Sequence, residues 1–454
     1  MLRVAVVGSG PSGVYTAQSL VQQDPEVLVD VLDRLPAPYG LVRYGVAPDH
    51  EKIKSLQNNL RAVLEHERVR FLGGVRIGPG PGGLPASRLR ELYHAVVYCV
   101  GAATDRHLGI PGEELPGSWS ATEFVAWYSA HPDAVDDGFV RAARAAVVIG
   151  VGNVAVDVAR MLARGPAELS PTDMPQAALT ALAASRVSDI HMVGRRGPSQ
   201  ARFTTKELRE LGSLPDTQVV VDEAELALDP AYTDPSALPA AQRRNVEALR
   251  GWAASPPRDS ARRIRLRFFC RPVEVLAAGG RVGAVRFERT VPDGTGGVTG
   301  TGRYEDIEAQ LVLRSVGYRG VPLDGLPFDA ARGTVPHLAG RVLRDGRPSP
   351  GEYVAGWIKR GPTGVIGTNR PCAKETATSL LADAAVLVRQ KRPEDPLTVL
   401  RAAGFEPVEW AGWQAIERAE AELGATLGRS VVKLPDWDSL LRAARTVDGR
   451  GSAL

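Results

Sequence analysis

The sequence predicts an α/β fold of two parallel-sheet domains, one inserted into the other, and three observations carry that prediction. A short apolar strand runs into a glycine-rich turn and a helix at the N-terminus. The same arrangement returns near residue 150, and two apolar strands that each end in glycine bracket it. A length of 454 residues accommodates such a fold, at about 100–200 residues per domain.

The first arrangement begins with the Val-rich run Leu2–Val7, continuous as befits a strand buried on both faces. Gly8-Ser9-Gly10-Pro11-Ser12-Gly13 follows, then a helical stretch over Val14–Gln22. This is G-x-G-x-x-G in its strand–turn–helix setting. Gly8 permits the sharp turn, Gly10 lets backbone approach a pyrophosphate, Gly13 lets helix and strand pack closely, and the helix N-terminus presents oriented N–H groups. A second strand, Val27–Leu32, ends in Asp33, placed to accept from ribose hydroxyls. All parts of a Rossmann-like dinucleotide site are therefore present.

In the second arrangement the strand Ala145–Ile149 meets Gly150-Val151-Gly152-Asn153-Val154-Ala155, with Ala155 in the third glycine position, and a helix through Val156–Ala163. The next strand, Asp189–Val193, ends in Gly194-Arg195-Arg196 instead of an acid. Guanidinium groups match a 2′-phosphate bidentately where a carboxylate would repel it, so this unit selects NADP, while the Asp-ended unit suits FAD. A flavin facing a nicotinamide accepts its hydride, and the protein then has chiefly to orient the two cofactors. Gly165–Arg186 reads as an insertion, a loop with one short helix.

The bracketing strands, Ala95–Gly101 and Leu311–Gly317, place the chain crossings near residues 104 and 321. The expected organisation is a discontinuous FAD-binding domain over 1–103 and 322–454, with an NADP-binding domain over 104–321 inserted into it. Beyond Arg392, helices are expected around Gly412–Leu423 and Asp438–Arg445, with Trp410, Trp413 and Trp437 as packing residues.

Composition narrows the function classes. The 55 basic and 52 acidic residues leave a net charge of +3, too balanced to draw in nucleic acid. The longest apolar stretch, near residues 145–156, stops short of the roughly 20 residues that span a bilayer. Cys99, Cys270 and Cys372 form no C-x-x-C pair and are too few for a four-cysteine iron–sulfur cluster. Unpaired thiols suit a reducing compartment, and the first residues run straight into a strand, so a cytoplasmic location is expected. No metal site is expected.

Five segments, in order, resemble the adrenodoxin-reductase-like ferredoxin–NADP reductases, flavoproteins with two dinucleotide-binding domains. They are Gly40-Leu41-Val42-Arg43-Tyr44-Gly45-Val46-Ala47-Pro48-Asp49-His50, Gly152-Asn153-Val154-Ala155-Val156-Asp157, Val193-Gly194-Arg195-Arg196-Gly197-Pro198, Lys206-Glu207-Leu208-Arg209-Glu210, and Gly356-Trp357-Ile358-Lys359-Arg360-Gly361-Pro362-Thr363-Gly364-Val365-Ile366-Gly367-Thr368-Asn369. The resemblance covers nearly the whole chain. It implies that Ser12, Asp33, Leu41, Val75, Trp357, Gly364, Val365 and Ile366 line FAD. It also implies that Asn153, Val154, Ala155, Arg195, Arg196 and Glu207 hold NADP, with Gly364 near both cofactors. His50 and Glu210 match a polar pair that lies beside the nicotinamide in similar enzymes, although His50 is also placed to cap the helix expected over Glu51–Glu65. Gly-Trp at 356–357 departs from the Gly-Asp of many two-domain flavoproteins and agrees with this branch. A helix over Cys372–Gln390 follows, its N-terminus directed at the flavin and suited to the charge of the reduced form.

Reduced FAD holds two electrons, and this chain has neither an iron–sulfur motif nor a dithiol to receive them, so they leave to another molecule. Arg263, Arg265 and Arg267 alternate with Ile264, Leu266 and Phe268, which reads as a strand with a basic face suited to an acidic ferredoxin. The family resemblance directs docking to Arg262 and Arg263 in particular. The resulting expectation is an NADPH-dependent reductase of a ferredoxin-type acceptor. Two alternatives stay open: a flavin-dependent diaphorase or quinone reductase acting on small acceptors, and a cofactor-holding redox sensor without turnover.

Overall fold

The computed structural model describes residues 1–102, 104–134, 138–140 and 143–446. The chain divides into two compact units, Met1–Thr104 with Tyr318–Leu454, and Asp105–Gly317. The chain crossings thus fall at 104/105 and 317/318, against sequence expectations near 104 and 321.

The first unit is built on a seven-stranded sheet in the order His337–Leu338, Arg341–Arg344, Arg347–Val354, Ala95–Tyr98, Arg3–Val7, Leu28–Leu32, Val69–Leu72. From Arg347–Val354 onward the strands run parallel. Both faces are covered, which is why Val4, Ala5 and Val6 are all wholly buried and the strand shows no alternation. Arg3–Val7 has its sequence successor Leu28–Leu32 on one side and Ala95–Tyr98 on the other. The strand order reverses there, and the crevice beyond the carboxyl ends of such strands is where open α/β sheets take ligands. The first glycine turn sits at that point.

The second unit repeats the plan with a six-stranded parallel sheet in the order Thr217–Val221, Arg262–Arg267, Asp189–Val193, Ala145–Ile149, Leu311–Arg314, Ser118–Ser120. Ala145–Ile149 again lies at the reversal and carries the second glycine turn. A three-stranded antiparallel sheet, Cys270–Ala278, Arg281–Pro292 and Val298–Glu308, is an addition that the sequence patterning does not announce. The insertion after the glycine-turn helix holds two short helices, Pro166–Leu169 and Gln176–Ala183, where one was expected.

The arginine-rich strand forms over Arg262–Arg267, but it does not present a free basic face. It is an interior strand with a parallel neighbour on each side. Arg265 pairs with Asp189 at 3.0 Å, and Arg267 pairs with Glu225 at 2.9 Å and Glu305 at 2.8 Å. Arg262 donates to the Ala163 carbonyl at 3.2 Å, and both Arg262 and Arg263 are half-buried. Arg265 and Arg267 are thus engaged in ion pairs, which leaves Arg262 and Arg263, half-buried, as the arginines of this strand without an ion-pair partner among the described residues. Burial, with Arg265 and Arg267 alongside, also pulls the pKa of neighbouring His191 down to about 4.

C-terminal helices form over Pro396–Ala402, Trp410–Thr426 and Trp437–Arg445. They are tied to the Gly40–Tyr44 segment by a buried ion pair, Arg43 to Glu420 at 2.5 Å, and by Trp413, whose ring centroid lies 5.0 Å from the Arg43 guanidinium. Burial alone would lower the Arg43 pKa, and Glu420 outweighs it and raises it. Among the described residues, no helix is long and apolar enough to cross a membrane.

Candidate dinucleotide sites

In the first unit the helix Pro11–Gln23 starts directly from the turn, with Gly10 as its N-cap and Pro at the first helical position. Proline costs nothing there because the first-turn N–H groups have no intrahelical acceptor, and the others remain available to a phosphate. Three close approaches shape the cradle. A Cβ on Gly13 would stand 1.8 Å from the Gly8 carbonyl oxygen, one on Gly40 2.9 Å from the Gly10 Cα, and one on Gly356 2.3 Å from the Ser12 Oγ. Gly8, Gly40 and Gly356 all have positive φ, so glycine is required for backbone conformation as well as for room. The Ser12 Oγ is buried and finds no hydrogen-bond partner among the described residues. A buried hydroxyl left this way is itself an indication of a missing ligand.

Asp33 ends the strand Leu28–Leu32 as expected. Its Oδ2 accepts from the Ser9 N–H at 2.7 Å and the Ser9 hydroxyl at 2.5 Å, and its Oδ1 accepts from the Leu35 N–H at 2.9 Å. Oδ1 keeps a second lone pair for a ribose hydroxyl. Val75 is buried and tied to the same corner, its N–H donating to the Asp33 carbonyl at 2.8 Å. Leu41 is partly exposed at the start of the short helix Leu41–Tyr44. Trp357 opens the helix Trp357–Arg360 directly after Gly356 and stacks on Tyr318 with centroids 5.3 Å apart. Gly364 and Val365 are exposed, and the Val365 N–H donates to the Thr368 Oγ1 at 3.1 Å at the start of the long helix Asn369–Leu387. His50 is buried as the N-cap residue of Glu51–Lys54, yet its side chain does not cap that helix. The single helix expected over Glu51–Glu65 is two, Glu51–Lys54 and Leu56–Leu64.

In the second unit Gly152 is the N-cap of Asn153–Ala163 and has open space where a Cβ would point. Gly150 is the tight position: its Cβ would stand 2.2 Å from the Ser315 carbonyl oxygen. Asn153 and Val154 are half-exposed and Ala155 is buried. The Asn153 Oδ1 accepts from the Thr204 N–H at 2.8 Å, and Thr204 caps the helix Thr205–Gly212, which carries Glu207 and Glu210. Glu207 is buried and Glu210 half-buried.

Arg195 is exposed and Arg196 half-buried, and neither guanidinium has an ion-pair partner among the described residues. Their backbone is fixed instead: the Arg195 carbonyl accepts from the Thr290 hydroxyl at 2.9 Å and the Arg196 carbonyl from the Phe269 N–H at 3.3 Å. Two held but unneutralised cations beside a glycine turn fit a phosphate monoester. A groove of about 1030 Å³ also runs along Thr205–Gly212 and Ala240–Ala253, with Arg202, Lys206, Arg209 and Arg244 exposed on it. Sequence reasoning named Glu207 and Glu210 but missed Arg160, which faces both, and it missed the closing roles of Gly40 and Gly356. The last two lie inside segments singled out for resemblance, whereas Arg160 carries no signal beyond its spacing from Asp157.

All three cysteines are free and buried. Burial pushes the thiols of Cys99 and Cys270 up to about 12, so neither offers a thiolate at neutral pH.

Two glycine turns at two sheet reversals, one ended by a carboxylate and one by free arginines, define a two-dinucleotide-domain oxidoreductase. Residues 2–195 match the pyridine nucleotide-disulphide oxidoreductase family. The NADPH-ferredoxin reductase FprA of Mycobacterium tuberculosis is 44% identical, over 97% of this chain and 98% of its own. The mitochondrial NADPH:adrenodoxin oxidoreductase of Arabidopsis thaliana is 40% identical, over 98% and 95%. The solved structure of Mycobacterium tuberculosis FprA in complex with NADPH superposes with a TM-score of 0.91 at 43% identity, covering 98% of this chain and 99% of that one. The chain belongs to the adrenodoxin-reductase-like ferredoxin–NADP reductases.

Proposed function

We propose that the protein is an NADPH-dependent flavoprotein reductase, a ferredoxin–NADP(+) reductase, that passes electrons to a ferredoxin-type iron–sulfur protein. The observation that carries the reading is the pair of free arginines, Arg195 and Arg196, beyond the second strand of one dinucleotide unit, where the other unit has Asp33. The unit of Met1–Thr104 and Tyr318–Leu454 is the FAD-binding domain and Asp105–Gly317 the NADP-binding domain. The orphaned Ser12 hydroxyl and the glycine cradle fit the first cofactor, and the unneutralised guanidinium groups fit the second. FAD held there would supply hydride acceptance from NADPH and one-electron donation to the acceptor.

The chain's own residues bind and orient. Gly8, Gly10 and Gly13 clear the backbone for the pyrophosphate of FAD, the first-turn N–H groups donate to it, and Asp33 Oδ1 accepts from its ribose. Ser12, Leu41, Val75, Trp357, Gly364, Val365 and Ile366 line the flavin. Gly152, Asn153, Val154 and Ala155 receive the pyrophosphate of NADPH, Arg195 and Arg196 grip its 2′-phosphate, and Glu207 helps to hold the coenzyme. His50 and Glu210 are the polar groups beside the reacting ring, able to hold or pass a proton at the His50 imidazole and the Glu210 carboxylate. An acidic acceptor has its complement in the exposed arginines and lysine of the groove along Thr205–Gly212. The free thiols suit a reducing compartment, and the cytoplasm is the location we assign.

Anaerobic titration of the yellow protein with NADPH tests the reading. Bleaching of the flavin by NADPH, followed by recovery of colour on adding oxidised ferredoxin, is the expected result. Bleaching with recovery only by quinones would make it a small-acceptor diaphorase, and failure to bleach at all would leave a cofactor-holding sensor.

A further inference from the structure

Arg160 lies on the helix Asn153–Ala163, two turns beyond the second glycine turn, and its side chain is wholly out of solvent. A guanidinium in such a place needs anionic partners. Among the described residues it faces Asp157, one turn back on its own helix, at 2.7 Å, and from the helix Thr205–Gly212 Glu210 at 3.2 Å and Glu207 at 3.7 Å. The two glutamates share one helix face at a spacing of three residues, and carboxylate oxygens of the two lie within 4.8 Å of each other. Carboxylates so close repel, and a buried cation against both offsets that repulsion. Lys206 also approaches Glu210, at 3.7 Å, but it is 63% exposed and belongs to the same helix. Arg160 thus ties these carboxylates to the helix of the second glycine turn.

We propose that Arg160 is a positioning residue for NADPH binding and turnover, acting through the Glu207 and Glu210 carboxylates that it holds in place. The inference rests on the placement of those two glutamates at the NADPH site given above.

Equilibrium binding of NADP+ to the flavin-loaded protein, measured by calorimetry, and steady-state NADPH-to-ferricyanide kinetics test it together. Arg160→Met keeps the length and removes the charge; binding is expected to weaken about tenfold or more, with a matching rise in KM. Arg160→Lys restores the charge without the fork and recovers part of the loss. Adding Arg160→Met to a Glu207→Gln, Glu210→Gln background is expected to cost little further, because the groups it acts through are gone. That triple variant also leaves fewer buried charges uncompensated, so it keeps the comparison available where Arg160→Met alone does not fold. A tenfold loss in that background as well, or no loss in Arg160→Met while Glu207→Gln with Glu210→Gln weakens binding, overturns the inference and leaves the site standing. If Glu207→Gln with Glu210→Gln leaves both binding and turnover unchanged, the assignment of the glutamates to the NADPH site fails, and the inference fails with it.

Discussion

The two glycine turns share a sequence pattern and a place in the sheet, yet they are closed to different degrees. Around the first, segments from two distant parts of the chain press in, Gly40 reaching Gly10 and Gly356 reaching Ser12, while Gly13 lies against Gly8 within the turn. Behind Gly40 stands the buried Arg43–Glu420 pair that anchors the C-terminal helices. Around the second, Gly150 meets the Ser315 carbonyl, but Gly152 has open space, Ala155 replaces the third glycine, and Arg195 is exposed. A cradle closed from several sides holds its ligand for many turnovers, whereas an open one releases it each time. Under the assignment proposed above, the difference between a resident cofactor and a co-substrate lies in how many segments surround the turn, more than in the turn itself.

The most direct test of this contrast comes from moving one methyl group between the turns. Gly13→Ala sets a Cβ 1.8 Å from the Gly8 carbonyl oxygen, an overlap that helix and strand must part to relieve. Overpacking of this kind costs about 1–3 kcal/mol, and borne by the flavin-bound form it amounts to about 5- to 150-fold in flavin affinity. The ratio of flavin to protein absorbance after gel filtration is expected to fall accordingly. The converse change, Ala155→Gly, leaves flavin content untouched and costs about 1 kcal/mol of helix stability. Full flavin content in Gly13→Ala would remove the distinction between the turns.

A second effect is confined to the open site. Arg195→Ala with Arg196→Ala removes both free cations while the Thr290 and Phe269 hydrogen bonds, which go to backbone carbonyls, survive. Each charge-assisted contact is worth about 1.5–3 kcal/mol, so the KM for NADPH is expected to rise about a hundredfold or more while that for NADH changes little. Equal losses with both coenzymes would show that these arginines support the fold and not the 2′-phosphate.

What the sequence disclosed and what it concealed follow the same line. The strand–turn–helix units were legible because their signals are local: a continuous apolar run, glycines at fixed offsets, an acid or arginines at the end of the next strand. The partners that close the first turn lie about 30 and more than 340 residues away along the chain, and nothing local records which glycine meets which. The antiparallel sheet of Cys270–Glu308 was missed because its last strand, rich in Gly and Thr and largely exposed, lacks an apolar stripe. Alternation along Arg262–Arg267 does tell which side chains share a face. It does not tell what covers that face, and here Asp189, Glu225 and Glu305 cover it.

That last point yields the smallest expected effect and asks how far the openness of the second unit extends. If only the turn and its neighbouring helix groove are open, reversing charge on the interior strand alters stability but not partner encounter. Arg262→Glu with Arg263→Glu removes the hydrogen bond to the Ala163 carbonyl, a loss of about 1 kcal/mol that thermal denaturation would register. The ratio of ferredoxin to ferricyanide reduction is expected to stay at its wild-type value. Arg209→Glu with Arg244→Glu, on the exposed groove, should lower that ratio at low salt and lose its effect as salt rises, because a Debye length of about 10 Å at 0.1 M screens exposed charges. A ratio that falls with the strand variant in a salt-dependent way would mean that half-buried arginines still steer the partner, and the internal ion pairs would then not account for the strand's charge.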